Sequence, residues 1–368
     1  MKKAIVVGGG MTGCTWAHLL SEKGWEVLLL EGDKILGGGC RTMHYGGHPY
    51  TFGPRHLFTD KAHIFEYYDK YVPQRRLAHY LLTYVERDQE FYSYPIHHDD
   101  IARMPDRDEV QAQLDNRGDP GAAKNFEEYW INSVGEILYD KFVRHYSKKM
   151  WQIEENTVLD DFKFDGKGVG LSEGSHEVRP DIFISYPISL GGWDDYVDMC
   201  ASAENVEART GVFVSEFDLN KPAVKVGEDW LECDLLVSTI SPDIVLRHAY
   251  GELNYIGRDF IPIVLPCKQV IPDPTFFLHY AGQETYTRIV EYKKLTGYQS
   301  EQTLIGLEIP STRNKLYPYP IKAEQARAQK YIDEIRSDKV LSVGRLGNYR
   351  YMDIGLVTDE ALQKIDEI

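Results

Sequence analysis

Cysteine is scarce in this chain. Five occur in 368 residues, widely scattered at Cys14, Cys40, Cys200, Cys233 and Cys267. No CxxC pair and no Cys/His ligand spacing occurs, so neither a disulfide framework nor a metal site is expected. Long apolar runs are also missing, and none approaches the ~20 residues of a membrane span. The opening Met1-Lys2-Lys3 and the apolar run behind it imitate a signal peptide, but the run breaks at Gly8-Gly9-Gly10, too soon for an h-region. A first strand in a cytoplasmic protein with reduced thiols is expected instead. Basic charge is in deficit: 41 Lys+Arg against 57 Asp+Glu leaves −16. That argues against nucleic acid or an anionic membrane surface as partner, since both need a broad basic face. A small anionic ligand held by a local arginine cluster stays open. Internal repeats and low-complexity tracts are absent too.

What is present describes a folded protein of two or three domains. The composition, 43% hydrophobic and 27% charged, is too apolar for a disordered chain. Ala4-Ile5-Val6-Val7 is a short β-branched run of the kind that forms a buried parallel strand. Gly8-Gly9-Gly10-Met11-Thr12-Gly13 follows as a G-x-G-x-x-G. Trp16, Ala17, Leu19 and Leu20 then recur at helical spacing, and Lys23-Gly24 supplies a stop. Trp25 to Leu30 reads as a second strand ending at Glu31. This βαβ unit predicts dinucleotide binding: the glycines let backbone approach a pyrophosphate at a helix N-terminus, and Glu31 accepts ribose hydroxyls. An acid at that position disfavours a 2′-phosphate, leaving FAD or NAD. The second glycine run, Gly37-Gly38-Gly39-Cys40, follows the acid as in large flavoproteins and favours FAD.

Residues 60–150 read as helical, with apolar faces at Phe65-Tyr67-Tyr68-Tyr71 and Ile137-Leu138-Phe142-Val143-Tyr146. Residues 155–185 are rich in Gly, Asp and Lys and predict a loop or mobile segment. A helix is expected around Tyr196, Val197 and Met199, and strands at 206–209, 212–214 and 235–240. Residues 255–310 alternate apolar and polar positions, which predicts antiparallel strands of a separate sheet.

Three C-terminal segments carry the most specific signal: Tyr286-Thr287-Arg288-Ile289-Val290-Glu291-Tyr292-Lys293, Tyr317-Pro318-Tyr319-Pro320-Ile321, and Val343-Gly344-Arg345-Leu346-Gly347-Asn348-Tyr349-Arg350-Tyr351-Met352-Asp353. With Tyr146-Ser147-Lys148-Lys149-Met150-Trp151, Gly53-Pro54 and the N-terminal motif, the chain resembles the UDP-galactopyranose mutase family over most of its length. The residue types suit a nucleoside-diphosphate sugar. Arginine forks hold two phosphate oxygens at once, tyrosine hydroxyls add neutral donors, and an indole offers a face for a sugar or base. An Arg288–Glu291 ion pair is the plain competing reading, but on a strand those side chains face opposite ways.

The resemblance implies an α/β fold: a Rossmann-like FAD-binding domain (1–80, 187–254 and 325–368), an inserted helical subdomain (81–150), and an antiparallel substrate sheet (151–186 and 255–324). It implies a flavin-dependent mutase without net redox, interconverting an NDP-hexopyranose and its furanose after attack of reduced flavin N5 on the anomeric carbon. Arg288 would grip the diphosphate, with Tyr319 and Tyr351 in support. Tyr146, Trp151 and Asp353 complete the substrate set, with a second cation at Lys163 or at its rivals Lys167 and Arg179. The implied cofactor set is Gly8, Gly10, Met11, Thr12, Gly13, Glu31, Gly38, Gly39, Cys40, His56, Val212, Gly344, Arg345, Met352 and Asp353. A homodimer is implied as well.

The chain departs from the family at Gly53-Pro54-Arg55-His56-Leu57-Phe58-Thr59, where the family has G-P-H-x-F-H-T. Arg55 and Phe58 replace the two histidines, and His56 is shifted by one. Ser93 stands where an asparagine often helps read uracil. GDP- or dTDP-linked sugars therefore stay open beside UDP-galactose. An amine-oxidase-type flavoenzyme, resting on the N-terminal motifs alone, and a non-catalytic nucleotide binder are the remaining alternatives.

Overall fold

The computed structural model describes residues 1–161 and 170–368. Strand β1 (Lys3–Val7), helix α1 (Met11–Glu22) and strand β2 (Glu26–Glu31) form the expected first unit. They belong to a five-stranded sheet in the order 206–210, β2, β1, 235–238, 340–342, with every neighbouring pair parallel. Both faces of such a sheet are covered, which is why Ala4, Ile5, Val6 and Val7 are all buried. On one side α1 packs against helices Asp194–Ala201 and Ile354–Ile365. The fully buried Trp16, Trp193, Tyr68 and Tyr196 fill that layer.

A second, seven-stranded sheet runs in the order Tyr317–Pro318, Tyr255–Leu265, Thr303–Ser311, Arg288–Glu291, Phe277–Tyr280, Leu81–Val85, Glu90–Ser93. It is antiparallel except where Phe277–Tyr280 runs parallel to Leu81–Val85. Short helices between His98 and Trp151 cover its far end around Trp130, Leu138, Tyr139 and Phe142. Among the described residues no helix is long and apolar enough to cross a membrane.

The helical reading of 60–150 is corrected here. Strands Gln74–Arg76, Leu81–Val85 and Glu90–Ser93 lie inside that span. Leu81, Thr83 and Val85 alternate in burial with Leu82 and Tyr84, a period of two, and their partner strand lies almost two hundred residues away. The loop expected over 155–185 gives way at its end to strand Phe183–Pro187. The strand expected at 212–214 starts only at Val214 and runs to Asp218.

Candidate active site

A groove of about 410 Å³ opens at the C-terminal ends of β1 and β2. Gly8, Gly10, Met11, Thr12, Glu31, Gly38, Gly39, Cys40, Arg345, Met352 and Asp353 all line it, and Thr239, Ile240 and Arg55 join them. The glycine requirement is steric at Gly13, where a Cβ would stand 1.8 Å from the Gly8 carbonyl oxygen. Gly344 takes φ +76°, and a Cβ there would meet Thr12 Oγ1 at 2.6 Å, so this turn can close on α1 only as glycine. Gly10, by contrast, has open space where a side chain would be. Glu31 accepts from the amides of Gly9 (2.6 Å) and Asp33 (2.7 Å), which holds its carboxylate at the end of β2. Bare backbone at a helix N-terminus, a second glycine run and a carboxylate at the far end fit a dinucleotide such as FAD.

Four of the predicted cofactor residues do not line this groove: Gly13 and Gly344 back its wall against Gly8 and Thr12, and Val212 and His56 stand apart from it. Val212 donates its amide to the Glu31 carbonyl (2.9 Å), beside the end of β2. His56 packs among the rings of Phe58, His79 and Phe276, with centroids 5.0–6.3 Å away. Its neighbour Arg55 takes the groove position instead. Arg55 Nε donates to the Gly39 carbonyl (3.1 Å), and Trp193 Nε1 donates to the Arg55 carbonyl. Cys40, buried in the groove wall, has its thiol pushed up by that burial.

The groove meets one face of the seven-stranded sheet. Tyr317 is registered with Ile256, Arg258 with Pro310, Glu308 with both Phe260 and Arg288, and Arg288 with His279. Residues directly opposite share a face, and so do residues two apart on one strand. Register alone therefore puts Tyr317, Arg258, Glu308, Arg288 and His279 on one side. Arg288 Nε lies 2.7 Å from Glu308 Oε2, and Glu308 is 1% exposed. Burial opposes the charge of Arg288 more than any single neighbour supports it, but Glu308, Tyr317 and Tyr146 together outweigh burial and raise the guanidinium's pKa. Glu291 faces the other way and accepts from the amides of Val270 and Ile271 (3.1 and 2.8 Å), so it is not the partner of Arg288.

Above that face sit Tyr351 and Arg345 from the C-terminal motif and Tyr146 from helix His145–Trp151. Tyr351 stacks on Tyr317 at 5.7 Å with the planes 11° apart. Arg345 Nε donates to the Met352 carbonyl (2.6 Å), which holds its guanidinium 5.2 Å from the Tyr317 ring and 4.9 Å from the Tyr351 ring. Arg258 lies over the Tyr317 ring at 4.8 Å and contacts Met150 Sδ. Burial by itself pushes the Tyr317 phenol up, yet Arg55, Arg288, Arg258 and Arg345 together bring it down to about 7. Tyr146 goes the other way, its pKa raised by burial. Asp353 caps helix Ile354–Ile365 through the Leu356 amide (2.8 Å), and burial raises its pKa.

The structure separates other predicted residues from this cluster. Tyr319 donates its hydroxyl to the Trp151 carbonyl (2.8 Å) and lies 5.8 Å from the Trp151 ring. The tyrosine against the arginines is Tyr317, two residues earlier in the same quoted motif. Arg179 forks onto Asp181 at 2.9 Å and is 39% exposed, so the described structure does not bring it to the arginines. Lys163 and Lys167 lie outside the described residues. Sequence reasoning passed over Arg258, Glu308 and Tyr317. The signal for the first two was alternation: polar residues at one parity of strands otherwise apolar at that parity.

Comparison with known proteins bears on the family and the fold. The family model described as UDP-galactopyranose mutase matches residues 141–351, more than half of the chain. A model described as NAD(P)-binding Rossmann-like domain matches residues 6–71. The chain is 24% identical to a Klebsiella pneumoniae protein named "Probable UDP-galactopyranose mutase", over 100% of the chain and 94% of the relative. It is 22% identical to a dTDP-fucopyranose mutase of Escherichia coli, over 99% and 97%. A solved structure of reduced UDP-galactopyranose mutase superposes with a TM-score of 0.83 at 17% identity, over 100% of the chain and 93% of that structure. Putrescine oxidase superposes less closely, at 0.61 and 13% identity over 100% and 98%, and these likenesses speak to fold alone.

Proposed function

The chain belongs to the UDP-galactopyranose mutase family, and from that premise we propose that it is a flavin-dependent mutase interconverting UDP-galactopyranose and UDP-galactofuranose. The coarser statement, an isomerase of pyranose and furanose nucleotide sugars, is carried by the family itself. The observation that supports the finer reading is the row of Arg258, Arg288 and Tyr317 on one sheet face, opening beside a dinucleotide groove.

FAD fits that groove: Gly10 to Gly13 and Gly38 to Gly39 would hold its phosphates and Glu31 its ribose. When bound and reduced, the flavin supplies the nucleophile for the anomeric carbon. The chain's own residues bind and orient. Arg288 and Arg258 present guanidinium forks to the diphosphate, which is both the leaving group and the group that must return. Holding it in place between the two events is positioning rather than proton transfer. Tyr351 and Arg345 would cover the cleft where the groove meets the arginine face. Trp151, tied to Tyr319, stands at the rim for the sugar or base. The buried Glu308 aims Arg288 and offsets part of its charge.

A dTDP-linked sugar is the second reading. The dTDP-fucopyranose mutase is matched along nearly its whole length. Ser93, at the position the family resemblance connects with uracil, is bonded to His176 Nδ1 at 2.7 Å. Purified protein incubated with UDP- and dTDP-hexoses, with and without dithionite, tests both readings by chromatography of the products. Turnover only after reduction, lost in Arg288→Ala, is expected. Equal turnover with permanently oxidised flavin overturns the flavin reading.

A further inference from the structure

The arginine face holds more positive charge than its carboxylates offset. Four guanidiniums act on Tyr317: Arg258 from strand Tyr255–Leu265, Arg288 from Arg288–Glu291, Arg55 from the turn after Gly53, and Arg345 from the C-terminal motif. Two lie over its ring at 4.8 and 5.2 Å. The other titratable groups packed around it are Tyr146 on its helix, Tyr351 stacked on its ring, Glu308 paired with Arg288, and Asp353, which acts on Tyr351. Glu308 and Asp353 oppose four cations, so a buried cleft keeps an excess of about two positive charges unless another anion is supplied. Tyr317 is 5% exposed and can supply one by losing its proton. A nucleotide-sugar diphosphate brings two. Both anions draw on the same guanidiniums, and in a low-dielectric cleft each weakens the hold on the other.

We propose that Tyr317 and the diphosphate of the substrate are alternative anions for one guanidinium cluster, so that a nucleotide sugar binding to the ionised phenolate form is accompanied by uptake of one proton at Tyr317. This rests on the reading that the cleft binds a nucleoside-diphosphate sugar. The exchange is balanced: the diphosphate enters fully ionised, the phenolate takes a proton from solvent, and no bond in the sugar changes. The depressed phenol pKa of about 7 puts the exchange in the neutral range. Arg55 has a particular part in it. The guanidinium stands where the family resemblance has a histidine, and it adds a permanent charge that an imidazole lacks above neutral pH.

The test is titration calorimetry of the oxidised holoenzyme with UDP-galactose and dTDP-glucose, whose diphosphates do not themselves titrate between pH 6 and 8.5. Each titration is run in two buffers of unlike ionisation enthalpy. In the wild type, Kd weakens about tenfold per pH unit above pH 7, and uptake rises from near zero at pH 6 to near one proton at pH 8.5. In Tyr317→Phe, Kd stays within about twofold across the range and the uptake disappears. In Arg55→His the inflection moves to higher pH, which decides the matter even if the phenylalanine variant does not fold. Binding that is pH-independent in the wild type, an unshifted inflection in Arg55→His, or a pH dependence that survives in Tyr317→Phe overturns the proposal and leaves the nucleotide-sugar reading standing. No binding of either sugar nucleotide at pH 6 removes that reading, and the proposal with it.

Discussion

Replacing Glu308 with glutamine tests how the candidate site is held together. The side chain keeps its size and loses its charge. Glu308 is 1% exposed, 2.7 Å from Arg288 Nε, and opposite Arg288 in the ladder. Its loss leaves Arg288 buried beside Arg55 and Arg258 with no carboxylate on that face of the strand pair, since Glu291 faces the other way. Removing one partner of a buried ion pair costs about 3–5 kcal/mol, because the remaining charge stays in low dielectric without compensation. For 368 residues, an unfolding entropy of about 2.1 cal/mol/K per residue gives roughly 1.3 °C of Tm per kcal/mol, so a fall on the order of 5 °C is expected at pH 6. At pH 8.5 the fall is smaller, because Tyr317 ionises more readily once Glu308 is gone and replaces part of the lost charge. The assay is thermal unfolding of wild type, Glu308→Gln, Arg288→Met and the double variant at both pH values. The double variant should recover about 1–3 kcal/mol relative to the sum of the singles, since no orphaned charge remains. UDP-galactose should raise the Tm of Glu308→Gln more than that of wild type, because it brings the missing anion. A Glu308→Gln protein within 1 °C of wild type, with no coupling in the cycle, would refute the argument that this pair is desolvated and mutually dependent.

Further outcomes are expected elsewhere. Gly13→Ala should fold yet purify with little flavin, read from its visible absorbance, because the added Cβ at 1.8 Å from the Gly8 carbonyl pushes the phosphate loop off α1. Lys141 is fully buried and bonded to Asp88 and Asp106, at 2.6 and 2.5 Å, so Lys141→Met should cost about 3 kcal/mol in denaturant unfolding, because Asp88 and Asp106 are left with only Tyr92 and Arg87 as partners. Stability should also carry the Tyr317 titration. Its folded pKa is about 7 against 10.0 for an ordinary phenol, so its contribution is complete above pH 10 and is lost as pH falls through 7. The stability of wild type relative to Tyr317→Phe should therefore climb between pH 7 and 9, by up to about 1.4 kcal/mol per pH unit, and a flat difference contradicts the shift.

Local sequence was enough for the first βαβ unit because every device in it is local. The β-branched run, the glycines, the helical face and the acid lie within thirty residues, and the βαβ crossover admits essentially one handedness. The C-terminal motif was legible only through the family resemblance, and the structure shows Gly344 to Asp353 folding back on themselves through the Arg345–Met352 bond. The strands at 81–85 and 90–93 were not legible as part of the large sheet. Leu81–Val85 and Glu90–Ser93 make a local hairpin, but it joins the large sheet only through Phe277–Tyr280, which only the folded chain brings beside it.

The candidate site divides in the same way. Arg288 stood out in a dense motif, and strand alternation alone sent it and Glu291 to opposite faces, as found. Which carboxylate meets Arg288 was a matter of register between strands twenty residues apart, and it is Glu308. Arg258 is an ordinary strand residue until its neighbours are known. Tyr317 and Tyr319 are nearly equivalent in sequence, both next to proline, and only packing sends one to the guanidiniums and the other to Trp151. What the sequence by itself determined is the dinucleotide loop, the alternation of the strands and the supply of arginine and tyrosine in an acidic chain. Tertiary structure decided which of those arginines share one buried space. Charge becomes chemically consequential when groups far apart in the chain are brought within a few ångströms and shielded from water.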